Sequence, residues 1–106
     1  MNDLKDRVVM ITGASSGFGR EAARMLVSHG AKVILGARRE EKLKELCAEL
    51  GSDVSTYMVT DVTSKDQMHA LAQHGMKTFG RIDSLVNNAG IMPLSLIKNG
   101  RTDEWD

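Results

Sequence analysis

A chain of 106 residues holds one domain at most, and at this size it buries roughly 65% of the surface its unfolded form exposes. Its 42% hydrophobic and 26% charged residues are ordinary for a globular protein, and 14 basic residues against 14 acidic ones leave no basic excess for a nucleic acid or an anionic membrane. The single cysteine, Cys47, excludes an internal disulfide; with no signal-peptide core at Met1–Lys5 and no apolar run near the roughly 20 residues of a bilayer span, a cytoplasmic protein without nucleic-acid or membrane partners is expected.

Residues 7–11 read as a first strand, apolar without alternation, as when both faces are covered. A turn follows, Thr12-Gly13-Ala14-Ser15-Ser16-Gly17-Phe18-Gly19, and then a helix over about 18–28. Ala22, Met25, Leu26 and His29 fall on one face of it and are its expected buried stripe, with His29 a dipole-compatible end residue and Gly30 the stop. A second strand is expected over 32–36 and a second helix over 40–50, with Leu43, Leu46, Cys47 and Leu50 inward and Gly51 after them. Cys47 on that stripe reads as core rather than as a reactive thiol.

A third strand is expected over 54–59. The third helix opens on Ser64-Lys65-Asp66-Gln67, a capping box in which Ser64 caps and Gln67 reaches back. Met68, Leu71, Ala72 and Phe79 form its inward face, and Gly80 breaks it. His69 and His74 are five residues apart, the wrong spacing for paired helical metal ligands, and both are expected to face solvent; no metal site is foreseen. Residues 84–87 read as a fourth strand, 91–101 as a loop with Pro93, and Thr102-Asp103-Glu104 as a helix start. Strands alternating with helices imply an α/β fold: a parallel sheet with helices on both faces, right-handed crossovers and a ligand at the carboxyl ends of the strands.

The glycine turn joins a buried strand to a helix N-terminus, where free amides and the helix dipole favour an anion and where a missing Cβ lets a phosphate approach. It reads as the pyrophosphate cradle of a dinucleotide site, although Gly13-x-x-x-Gly17-x-Gly19 departs from the G-x-G-x-x-G fingerprint and Arg20 excludes a P-loop ending. The second strand ends Gly36-Ala37-Arg38-Arg39, with no acid before Glu40 to bind ribose hydroxyls. Two guanidiniums there suit the 2′-phosphate of NADP(H) instead, or else are a solvated pair opening a helix. A phosphate-binding signalling domain would need acids after strand one, and Ile11-Thr12-Gly13 supplies none.

Three motifs together, Thr12-Gly13-x-x-x-Gly17-x-Gly19, Asp61-Val62 and Asn87-Asn88-Ala89-Gly90, resemble in order and spacing the classical short-chain dehydrogenases/reductases, over essentially the whole chain. The resemblance implies a Rossmann-type sheet of order 3-2-1-4. It implies that Gly13, Ser15, Ser16, Gly17, Phe18 and Gly19 hold the pyrophosphate, with Phe18 in place of the usual aliphatic residue and expected to affect packing more than binding. Arg38 with Arg39 would meet the 2′-phosphate, Asp61 the adenine amino group with Val62 beside it, and Asn88, Ala89 and Gly90 the adenosine. Asn87 would tie strand four to its neighbours. The family moves a hydride between nicotinamide and a carbonyl or alcohol, and the stretch around Asn88–Leu94 resembles members acting on small hydroxy acids or alcohols.

The family's catalytic serine and Tyr-x-x-x-Lys have no match here: Tyr57 is followed four residues later by Asp61, and Ser84 and Ser95 do not correspond. Residues 1–106 are therefore expected to be the dinucleotide-binding half-domain, without catalytic residues, and to meet a small-molecule substrate only with the missing half. The alternative is a non-catalytic NADP-binding or interaction module complete at 106 residues. An exposed strand-four edge containing Leu85-Val86 is expected to favour homo-oligomers or aggregation.

Overall fold

A computed structural model of the chain describes residues 4–87. Asn88, Ala89 and Gly90, the loop expected over 91–101 and the helix start expected at Thr102 lie outside them. Four parallel strands, β1 (Val8–Thr12), β2 (Lys32–Ala37), β3 (Ser55–Val59) and β4 (Ser84–Asn87), alternate with α1 (Gly17–Ser28), α2 (Glu40–Leu50) and α3 (Lys65–Phe79). The sheet order is β3-β2-β1-β4, the Rossmann-type order expected. β1 and β3 each start one residue later than expected, and β1 and β2 each run one residue further, to Thr12 and Ala37.

Alternate side chains of the strands enter two separate cores. Val9, Ile11, Val33 and Leu35 pack with Ala23 of α1 and with Leu43 and Leu46 of α2. Val8, Met10 and Ile34 pack on the other face with Met68 and Leu71 of α3 and with Ile82. Every residue of β1 is buried, which is why its sequence shows no alternation. Cys47 packs half-buried against the first core, as expected of a structural thiol. In β4, Ser84 is exposed and the other residues are half-buried, and β4 is an edge of the described sheet.

The register brings the strand ends level. Thr12 pairs with Gly36 on one side and with Asn87 on the other, and Thr12 Oγ1 donates to Asn87 Oδ1 at 2.9 Å, the tie expected of Asn87. At the opposite end of the same two strands, the Val8 N–H donates to Asp83 Oδ2 at 2.8 Å, and the Asp83 N–H donates to the Val8 carbonyl at 2.8 Å. Arg81 Nη2 donates to the same carboxylate at 2.5 Å.

The buried face of α1 differs from the expected stripe. Gly19 and Ala23 are its buried residues, while Met25 is 57% exposed and His29 is exposed. The helix lies so close to the β1 turn that glycine and alanine fit beneath it, while Leu26 of the expected stripe, half-buried, packs against the first core. His29 keeps its helix-end role: its ring Nδ1 donates to the Met25 carbonyl at 2.8 Å. α3 makes a similar close approach, since a Cβ on Gly75 would stand 2.1 Å from Ile34 Cδ1.

Half of the capping box is present. Ser64 Oγ accepts from the Gln67 N–H at 3.2 Å, but Gln67 Oε1 accepts from the Asp61 N–H, at 2.7 Å, rather than from Ser64. The Ser64 N–H is taken by the Asp61 carbonyl at 2.9 Å, so Gln67 ties the preceding turn instead. The two histidines are not solvent-facing as expected. His74 Nε2 lies 2.7 Å from Thr56 Oγ1, joining α3 to β3. His69 Nε2 is enclosed, with no hydrogen-bond partner among the described residues. They border the buried stripe of Met68, Leu71 and Gly75 on opposite sides, positions that a count of apolar residues does not mark.

Candidate functional site

The first turn is built from backbone. Gly13 has φ of 69°, the left-handed region that glycine enters freely. The amides of Gly13 and Ala14 donate to the Gly36 carbonyl at 2.9 and 3.3 Å, hooking the turn over the end of β2. Ser16 caps α1: its Oγ accepts from the Gly19 N–H at 3.1 Å and donates to the Gly13 carbonyl at 2.9 Å. The amides of Gly17 and Phe18, the first two of the helix, have no acceptor among the described residues.

Two glycines of this turn differ in kind. A Cβ on Gly19 would fall 2.5 Å from the Gly13 carbonyl oxygen and 2.8 Å from Ala14 Cα, whereas a Cβ on Gly17 would meet nothing within 4 Å. Gly19 is required by the protein's own packing. Gly17 leaves open space beside free amides, which is what a phosphate group needs. The Phe18 side chain is 68% exposed among the described residues.

Side chains build the neighbouring wall. The Thr60 N–H donates to the Ala37 carbonyl at 2.8 Å, holding the ends of β2 and β3 together. Beyond them, Arg38 Nη2 donates to Asp61 Oδ1 at 3.2 Å. The same oxygen accepts from the Thr63 N–H at 2.9 Å and from Thr63 Oγ1 at 2.6 Å. The Thr63 donors, and behind them Arg38, hold the Asp61 carboxyl below the usual carboxylate range. Arg39 is the N-cap residue of α2 and makes no side-chain cap bond.

A cleft of about 430 Å³ runs between these parts, lined by Gly13 and Ser15 of the turn, by Ala37, Arg38 and Arg39 after β2, and by Thr60, Val62 and Thr63 after β3. The structure thus gathers Gly13, Ser15, Arg38, Arg39 and Val62 around one space. Asp61 is bonded to Arg38 at its rim, and Ser16, Gly17, Phe18 and Gly19 form the adjoining helix start. Asn88, Ala89 and Gly90 lie outside the described residues. Thr60 and Thr63 were not foreseen; the spacing Asp61-x-Thr63, an Asx-turn pattern, was the available signal.

Tyr57 is occupied elsewhere. Its hydroxyl donates to Glu40 Oε2 at 3.2 Å, and burial together with that carboxylate pushes its pKa up. Burial also raises the Cys47 thiol. Among the described residues no three His, Cys, Asp or Glu side chains gather as metal ligands, and no helix is long and apolar enough to cross a membrane.

The model of the short chain dehydrogenase family matches residues 7–106. The chain belongs to the short-chain dehydrogenase family. An uncharacterized oxidoreductase of Staphylococcus saprophyticus is 47% identical over 106 residues, covering 100% of this chain and 43% of the relative. One from Staphylococcus aureus strain USA300 is 41% identical, covering 100% of this chain and 46% of the relative. The chain therefore spans less than half the length of these relatives. Among solved structures, a short-chain dehydrogenase/reductase of Brucella melitensis, described as a glucose/ribitol dehydrogenase, superposes with a TM-score of 0.79 at 33% identity, over 86% of this chain and 39% of that one. The C-domain of a bacterial malonyl-CoA reductase, solved with NADP, gives 0.77 at 32% identity over 83% of this chain and 15% of that one. The sheet order and the glycine turn are thus those of a short-chain dehydrogenase.

Proposed function

We propose that this chain is the NADP(H)-binding part of a cytoplasmic short-chain oxidoreductase acting on a small carbonyl, alcohol or hydroxy acid. The observation that carries the reading is the cleft that two arginines, Arg38 and Arg39, line together with Gly13 and Ser15 of the glycine turn. The free amides of Gly17 and Phe18 would hold the pyrophosphate, with Ser15 and Ser16 beside them. Arg38 and Arg39 would hold the 2′-phosphate through charge-assisted bonds, and Asp61 with Val62 would meet the adenine. The bound cofactor supplies the hydride; this chain's residues bind and orient it. Tyr57 is bonded to Glu40, and the chain spans less than half of its relatives, so on this reading the acid–base groups of the reaction lie outside these 106 residues.

Titration of NADPH and NADH into wild type and Arg38→Asp tests the reading. Charge-assisted bonds to phosphate are worth enough that NADPH affinity should fall roughly tenfold or more, while NADH affinity holds. Equal losses for both cofactors, or none, would refute the 2′-phosphate assignment.

A further inference from the structure

We propose that Asp61 Oδ1 is a resident anion for Arg38, exchanged for the 2′-phosphate when NADP(H) enters, so that Asp61 sets how strongly the site prefers the phosphorylated cofactor. The inference rests on the reading that Arg38 meets that phosphate. The two residues follow neighbouring strands, and the bond from the Thr60 N–H to the Ala37 carbonyl fixes their spacing. Asp61 is the anchored member: Thr63 donates to it twice, and Gln67 holds its amide. Arg38 is the movable member, a long side chain 69% exposed. All three donors converge on Oδ1, and Oδ2 takes none among the described residues. An adenine amino group can therefore be met by Oδ2 while the ion pair stays intact. A cofactor without the 2′-phosphate leaves Arg38 where it is. One with it brings a doubly charged competitor for the same guanidinium, and its gain is reduced by the bond that Asp61 gives up.

Calorimetric titration of the full chain with 5′-AMP and with 2′,5′-ADP isolates the phosphate, because any change in adenine binding cancels in the ratio of the two dissociation constants. The ratio should exceed one in wild type. Asp61→Asn should raise it by about two- to fivefold, the worth of an exposed ion pair, and the rise should shrink as salt is added. In an Arg38→Ala background the ratio should collapse and Asp61→Asn should no longer move it. A ratio unchanged or lowered by Asp61→Asn, with the Arg38→Ala collapse intact, overturns the exchange and leaves the cofactor assignment standing. A wild-type ratio near one overturns both. Nitrogen NMR of the Arg38 guanidinium tests the same point without a substitution: its signals should keep their free positions with 5′-AMP and move with 2′,5′-ADP, and equal movement with both overturns the exchange.

Discussion

Gly17 and Gly19 stand two residues apart in one turn, yet alanine at the two positions should act in opposite ways on the free protein. At position 19 the new methyl would lie 2.5 Å from the Gly13 oxygen and 2.8 Å from Ala14 Cα, both backbone atoms. Neither can yield easily, because the amides of Gly13 and Ala14 are bonded to Gly36 and the Gly13 oxygen accepts from Ser16. Helix α1 must back away from its core. Overpacking of this kind destabilises by about 1–3 kcal/mol, and the better helix propensity of alanine returns up to about 1 kcal/mol. A net loss of about 1–2 kcal/mol lowers the melting midpoint of a domain this size by roughly 5–15 °C. At position 17 nothing lies within 4 Å and φ is not positive. Alanine there should leave the midpoint unchanged or raise it by the equivalent of about 0.4–1 kcal/mol, through a less flexible unfolded chain. Under the proposed function NADPH raises the wild-type midpoint, and both substitutions should abolish that rise, Gly17→Ala by filling the space a phosphate would enter. Thermal melts followed by circular dichroism, with and without NADPH, read all four quantities. If Gly17→Ala melts as low as Gly19→Ala, or keeps the full NADPH response, the division between a packing glycine and a ligand glycine is wrong.

Gly75→Ala should destabilise by about 1–2 kcal/mol in denaturant unfolding, because its methyl meets Ile34 Cδ1 at 2.1 Å and Cγ1 at 2.8 Å in a filled core. Adding Ile34→Val, which removes Cδ1, should recover part of that loss; strictly additive losses would refute the contact. Asp83→Asn should narrow the gap to wild type as the solution is acidified. Burial opposes the charged carboxylate, but Arg81, the Val8 amide and Arg7 outweigh it and hold its pKa below the usual range. A folded-state pKa below the unfolded one contributes stability that is complete above the unfolded value, near pH 4. That stability is lost as pH falls through the folded value. Melts at pH 7 and pH 3 measure the gap, and a gap independent of pH would refute the linkage.

The alternation of strands and helices was legible because buried parallel strands and amphipathic helices leave different periods in the chain, and glycines such as Gly30, Gly51 and Gly80 mark the stops. That Arg38 and Asp61 follow strands two and three was legible too, and the strand order implied by the family resemblance sets those ends side by side, but the bond between the two side chains was not foreseen. What stayed hidden depended on distance rather than on period. The inward face of α1 was read rightly at Leu26 but not at Met25, and its closest contacts, Gly19 and Ala23, were missed because close approach selects the smallest residues and a hydrophobicity count rewards the largest. Gly36 looked like a strand end, yet a Cβ there would stand 2.4 Å from Leu71 Cδ2. Asp83 sits 75 residues from its partner Val8, and no local pattern links them. Gln67 passed over Ser64 for Asp61 because the Ser64 amide was already bonded within the turn.

The two ends of the cleft are fixed by different physics, and this bears on how such a site can change. The glycine turn is held by backbone: a left-handed Gly13, a carbonyl from β2, and a helix seated too close to admit a Cβ at position 19. Side chains can vary around it, but its shape cannot change without moving α1. The wall beyond β2 and β3 is held by side chains at the surface, Arg38 on Asp61 and Asp61 on Thr63. Arg39 makes no cap bond, so α2 does not depend on its side chain. Substitutions at 38 and 39 therefore reach the cleft without reaching either core. A sheet of this kind can hold the pyrophosphate end constant while the preference for a phosphorylated or unphosphorylated ribose is rewritten at two or three exposed positions. That separation is why the arginine variants should alter cofactor choice at nearly constant stability, whereas Gly19→Ala should alter both together.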